Sequence, residues 1–178
     1  MGQIIPIAPQ ETPEFFSAEK RLLHELESSG LYVFHGSAED REELSPQQAH
    51  NILPEGVIPD GEPAVFASSL ADYAIFMAIM NKNNCPRGTR SSVWTHTTEG
   101  ERTLSYGATA ETLEQLTDTA HGFVYVFNKE SFMQRDPEDE VEYISTSTVK
   151  PIQKVRVLKQ DLPGQIDIIE GQQQSLLQ

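Results

Sequence analysis

The chain has 178 residues, of which 38% are apolar and 8% aromatic. That is enough for one core, and the length fits one domain. Asp and Glu number 27 against 13 Lys and Arg, a net charge of −14, which argues against a broad nucleic-acid face. A single cysteine, Cys85, excludes an internal disulfide and a cysteine metal cage. No run of 18 or more apolar residues is present to span a bilayer.

Residues 1–12 carry two prolines and read as an extended arm, without the basic and apolar blocks of a secretory leader. Met1-Gly2 is followed by Pro6 where a myristoylation signal needs Ser or Thr. The expected compartment is therefore the cytoplasm, and the expected state a monomer. Thr12-Pro13-Glu14 is a helix start, and Phe15, Phe16, Leu22, Leu23 and Leu26 form one apolar stripe that Ser28-Ser29-Gly30 ends. His24 is expected at the edge of this scaffold helix.

Leu31-Tyr32-Val33-Phe34-His35 is a short buried strand that breaks at Gly36-Ser37, which places His35 at a strand end facing a loop. An acidic loop follows. Residues 46–51 are expected to form one helical turn, before a turn-rich connection through Pro54, Gly56, Pro59, Gly61 and Pro63. Ala64–Ser68 reads as a strand. Ser69 and Asp72 supply a box-like start to a helix over about 70–81. That helix is apolar nearly all round, so it is expected to be well buried.

Ser92–Thr98 and Arg102–Tyr106 flank Glu99-Gly100 as a hairpin, and Thr109–Asp118 reads as a short helix. Gly122–Asn128 is a strong strand, followed by a turn at 131–133. Strands are expected over 141–146 and 149–158, with a short extension at 165–169 and a frayed tail over 171–178. Helices fall in the first half and strands crowd the second, which is α+β: helices on a mostly antiparallel or mixed sheet, in one domain over 13–170.

No Walker loop, GxGxxG, HExxH, GxSxG or CxxC occurs, and the five histidines lack ligand spacing, so no metal site is expected. Lys82, Arg87 and Arg90, and Lys150, Lys154, Arg156 and Lys159, are read as solvated charges. Asp136–Glu140 is an acidic loop that becomes a strand at Val141. Glu142 alternates with Val141 and Tyr143 and faces away from them. Glu140 would share its face if the strand began that early.

Three stretches together resemble the ADP-ribosyltransferase superfamily, in the branch of diphtheria toxin and the poly-ADP-ribose polymerases. They are His35-Gly36-Ser37 ending a strand, Val65-Phe66-Ala67-Ser68 leading into a helix with Tyr73, and Glu142-Tyr143-Ile144. The resemblance spans residues 31 to about 158. It implies a split, mixed or antiparallel sheet flanked by helices, and NAD as substrate, cleaved between nicotinamide and ribose. It also implies mono-ADP-ribosyl transfer to an acceptor, a protein rather than nucleic acid, or hydrolysis by water. Glu142 would hold a ribose hydroxyl and favour the cation-like sugar. His35 would donate to a ribose hydroxyl of the adenosine half. The Gly36 backbone would hold the nicotinamide amide, and Tyr73 would stack on its ring. Ser37 and Ser68 would line the site. Where the family often carries a strand tyrosine, this chain offers Val65 and Phe66. Phe66 supplies an aromatic face without a hydroxyl.

Two other readings share the scaffold. Transfer of an RNA 2′-phosphate to NAD is disfavoured by the net charge, and tight tRNA binding at moderate salt would favour it. A degenerate, non-catalytic nucleotide- or protein-binding module would bind NAD analogues without turnover.

Overall fold

The computed structural model describes residues 16–170. The arm over 1–12, the helix start at Thr12-Pro13 with Phe15, and the tail over 171–178 lie outside the described residues. Helix α1 (Ala18–Ser29) starts at Ser17, whose hydroxyl accepts the Lys20 amide, and ends at Gly30 in the left-handed region, φ 70°. The remaining elements are β1 (Tyr32–Ser37), β2 (His50–Leu53), β3 (Gly56–Pro59), β4 (Val65–Ser68), α2 (Ala71–Ile79), β5 (Ser91–Thr98), β6 (Glu101–Ala108), α3 (Ala110–Gln115), β7 (His121–Asn128), β8 (Met133–Gln134), β9 (Glu142–Ser145), β10 (Gln153–Leu158) and β11 (Asp167–Ile168).

The architecture is α+β, with mostly antiparallel sheets. The main sheet runs β10-β7-β1-β4-β9-β8; a second runs β11-β6-β5, and β2-β3 is a separate hairpin. β1 is paired with β7 over its whole length, from Tyr32↔Asn128 to Ser37↔Phe123. With β4 it shares one register pair, Phe34↔Ser68. The main sheet is therefore continuous through β7, β1 and β10 and barely joined between β1 and β4. β4 and β9 pair fully, from Val65↔Ser145 to Ser68↔Glu142.

Helix α2 packs on one face of this sheet. It buries Ala71, Ala74, Ile75, Phe76, Ala78 and Ile79 with Phe34, Val124, Val126, Val155 and Val157. The approach is close enough to exclude side chains. A Cβ on Gly36 would stand 2.0 Å from the Ala74 carbonyl oxygen, and one on Gly122 2.1 Å from that of Ala78. Gly36 is thus required by helix–strand packing. The opposite face carries Val33, Val65, Ala67, Tyr125, Phe127 and Tyr143 as a second core.

Three expectations change. Residues 50–53 are a strand of the β2–β3 hairpin, with Asn51↔Ile58 in register, instead of part of a helical turn. Ser69 does not cap α2; its hydroxyl donates to the Glu140 carbonyl. The α2 start is satisfied from elsewhere: the Ser68 hydroxyl accepts the Leu70 amide, and the Glu27 carboxylate on α1 accepts the Ala71 amide at 2.7 Å. As expected, α2 is well buried, with six of its nine residues in the core and Met77 45% exposed. Strand boundaries contract to 142–145 and 153–158, so Glu140 lies before β9, not on its face. The β5–β6 hairpin agrees with expectation, with Glu99 and Gly100 both at positive φ, 54° and 82°, as a tight hairpin turn requires.

Candidate functional site

The site begins where β1 and β4 part. Beyond the Phe34↔Ser68 pair, the link between the strands is a side chain: the His35 imidazole Nδ1 lies 2.6 Å from the Phe66 carbonyl oxygen. A carbonyl can only accept, so Nδ1 carries the proton. Burial holds the His35 pKa below the ordinary histidine value, with the Phe66 carbonyl opposing. The ring is therefore neutral near pH 7. With Nδ1 bonded to the Phe66 carbonyl, the neutral ring offers Nε2 as an acceptor. Tyr125 meets it edge-on, with ring centroids 6.2 Å apart.

Tyr73 projects from the first turn of α2. Burial raises its pKa, and the charges of Glu142 and Asp139 add to the rise, so it keeps its proton and remains a donor. Glu142 sits on β9 directly across from Ser68. Its side chain is 39% exposed and faces Arg135, whose Nη1 is 3.4 Å from Oε1. The other end of that guanidinium is bound to Asp60, Nη2 to Oδ1 at 2.7 Å. Its carbon lies 5.3 Å from the centre of the Phe66 ring. The Asp60 bond, with the Glu142 charge behind it, raises the Arg135 pKa above its ordinary value. The backbone fixes the pair as well, because the Arg135 amide donates to the Glu142 carbonyl at 3.1 Å.

His35, Gly36, Phe66, Ser68, Tyr73 and Glu142 all line one cavity of about 470 Å³. Three residues separated by scores of positions in the chain are thereby brought to one wall-to-wall space. A neighbouring cavity of about 340 Å³ holds Ser37, with Glu39, Arg41 and Gln47. His35, Phe66 and Ala49 line both cavities and stand where the two meet. Each volume falls within the roughly 300–1,000 Å³ common for small-molecule sites.

Sequence reasoning missed several lining residues. Met77, one turn after Tyr73, faces the larger cavity, which explains why α2 is apolar on both sides. Val93, Thr95 and Leu104 bring the β5–β6 hairpin to the opposite wall. Asp60, Asp139 and Arg135 supply charge. Asp139, not Glu140, is the loop acid at the cavity. Only the acidic run 136–142 gave a signal for this charge, and it could not name the residue.

Among the described residues no group of three or more His, Cys, Asp or Glu is placed to hold a metal, and no helix is long and apolar enough to cross a membrane. Comparison with protein-family models, with curated proteins and with solved structures finds no match to this chain.

Proposed function

We propose that this chain is an ADP-ribosyltransferase of the diphtheria toxin and poly-ADP-ribose polymerase type, which cleaves NAD at the nicotinamide–ribose bond. The observation that carries the reading is the meeting of His35, Tyr73 and Glu142 around one cavity. These are the residue types, in the chain order, that the motif resemblance assigns to the reaction. The sheet opening between β1 and β4 supports a split-sheet fold of that kind.

In this reading the dinucleotide spans both cavities past His35 and Phe66, with nicotinamide in the larger one. Tyr73 and Phe66 offer aromatic faces to the nicotinamide ring. Gly36 lies past the one β1–β4 register pair, where its backbone edge borders the cavity and serves the amide. His35 Nε2 accepts a ribose hydroxyl on the adenosine side, near Ser37. Ser68 lines the floor beside Glu142. As the glycosidic bond stretches, the sugar gains positive charge and the pyridinium ring loses it. The Glu142 carboxylate holds a ribose hydroxyl and stabilises the charged sugar, an interaction stronger in the transition state than in the ground state. Water or an acceptor side chain completes the transfer.

The test is incubation with NAD labelled in its adenylate half, followed both for free nicotinamide and for label on protein. Nicotinamide release supports the reading. Binding of NAD without release would favour a non-catalytic module instead.

A further inference from the structure

Helix α1 acts on the larger cavity without lining it. His24 and Glu27 stand about one turn apart on the same side of this helix. Both grip the first turn of α2. The Glu27 carboxylate accepts the Ala71 amide at 2.7 Å, and His24 Nε2 lies 2.8 Å from the Asp72 carboxylate. Leu70, in the cap position of α2, supplies no side-chain bond of its own. The first amides of a helix have no partner within it, so whatever holds them comes from elsewhere. Here the Ser68 hydroxyl holds the Leu70 amide and Glu27 holds the next. We propose that Glu27 is a positioning residue for the cavity: by holding the α2 backbone at Ala71, it sets where Tyr73 stands relative to Glu142.

Ser68 and Glu142 are register partners on β4 and β9. Ser68 also bonds the Leu70 amide, so α2 leaves the sheet tied to the residue that faces Glu142 across the ladder. A single hold at that point leaves the helix free to swing about it. The Glu27 bond, one residue further on, is the second point, and two points fix a direction. Tyr73 follows two residues after Ala71, in the same turn, and lines the cavity with Glu142. The electrostatics connect the same groups. Burial holds the Tyr106 proton on, and the charges of Asp72 and Glu27 add to it, with Tyr73 close enough to contribute. Tyr73 in turn feels Glu142 after its own burial. A carboxylate at the positive end of α2 also suits the helix dipole, which favours Glu27 over a neutral group for stability but not for direction. The effect on ligand rests on the NAD-cleaving reading; the effect on Tyr73 rests on the geometry alone.

The full chain is isotope-labelled in its tyrosine rings, and the Tyr73 signal, identified by its loss in Tyr73→Phe, is followed by NMR. Affinity is measured beside it with carba-NAD, a dinucleotide whose nicotinamide bond resists cleavage. Glu27→Ala removes the acceptor. Glu27→Asp keeps the charge but draws its oxygens back by one methylene. Glu27→Gln keeps an acceptor oxygen without the charge. The first two should shift the Tyr73 signal and weaken carba-NAD binding about fivefold or more. Glu27→Gln should return the signal to its wild-type position and the affinity to within about twofold. Phe127→Leu, a core change on the sheet face away from α2, is the control, with urea unfolding to compare its loss of stability with theirs. A Tyr73 signal that stays at its wild-type position in both Glu27→Ala and Glu27→Asp overturns the proposal, as does an equal shift in Phe127→Leu or in Glu27→Gln. Should Glu27→Ala not fold, Glu27→Asp against Glu27→Gln makes the same comparison. A shifted signal with wild-type affinity overturns the link to the ligand. A Tyr73 signal that follows Glu27 in a chain that binds no carba-NAD upholds the positioning and overturns the NAD-cleaving reading.

Discussion

The His35 imidazole replaces the β ladder where β1 leaves β4, donating from Nδ1 to the Phe66 carbonyl at 2.6 Å. One side chain thus has two tasks, closing the sheet opening and presenting Nε2 to the cavities. The tasks separate by mutation. Asn at position 35 retains an amide donor near the Nδ1 position but has no atom at Nε2. His35→Asn should keep stability within about 1 kcal/mol and weaken NAD-analogue binding roughly tenfold, the size of one hydrogen bond. His35→Ala should lose both, with about 1–3 kcal/mol of stability gone because the Phe66 carbonyl loses its partner. Urea unfolding and calorimetric titration of the two variants check this.

The direction of the His35 pKa also fixes a pH dependence. Its folded value is below the ordinary one, so between the two values the unfolded chain binds a proton that the folded chain does not. Stability therefore falls as pH drops through about 6.5, and stops falling from this cause below the folded pKa. Ligand binding follows the folded pKa, because protonation turns Nε2 from acceptor to donor. NAD-analogue affinity should be flat from pH 8 to pH 6.5 and decline only at lower pH. Titration of the ring by NMR, beside affinities at the same pH values, tests the sign.

His24 behaves in the opposite way. Its Nε2 is 2.8 Å from the Asp72 carboxylate, and that bond is the main cause of its raised pKa. The stabilisation is complete below about pH 6.5 and is lost as pH rises through the folded value. Both side chains are about a third exposed, 33% and 32%, so solvent screening limits the pair to about 0.5–1 kcal/mol. The stability difference between wild type and His24→Gln should be present at pH 5.5 and vanish by pH 9. Using a difference between variants removes the contribution of His35.

Gly36 and Gly122 are fixed by the α2 backbone rather than by flexible side chains. The nearest obstructions are the carbonyls of Ala74 and Ala78, which cannot swing aside. Gly36→Ala and Gly122→Ala should each cost about 3 kcal/mol or more by forcing α2 off the sheet. Because both press on the same helix, the double variant should lose less than the sum. Gly30→Ala serves as contrast: no atom lies within 4 Å of an added Cβ there, and the cost comes only from the left-handed backbone, about 1 kcal/mol. Chemical denaturation of the set distinguishes crowding from conformational cost.

The end of β1 at Gly36-Ser37, the hairpin at Glu99-Gly100 and the strand β9 were legible because each carries a local signal. Those signals are a switch from apolar run to Gly, a two-residue turn, and a Glu at the head of a β run. The β2–β3 hairpin was not, because Gly56–Pro59 is exposed throughout and lacks the alternation that marks a half-buried strand. The α2 cap was misassigned because its partner, Glu27, is 44 residues away from Ala71. Arg135 was invisible for the same reason: its meaning lies in Asp60 and Glu142, and no spacing rule links those three positions. At Gly36 the sequence signals only a strand end, whereas the missing side chain makes room for the α2 backbone.

The account stands on Glu142 acting on a bound NAD in this cavity. Nicotinamide released by wild-type protein and by Glu142→Gln, at matched stability, measures that directly. The account predicts release by the wild type and a loss of roughly 10²–10³-fold in the variant, the scale of one charge-stabilising group. A wild-type chain that binds NAD and releases no nicotinamide, or a variant that turns over at the wild-type rate, would contradict it.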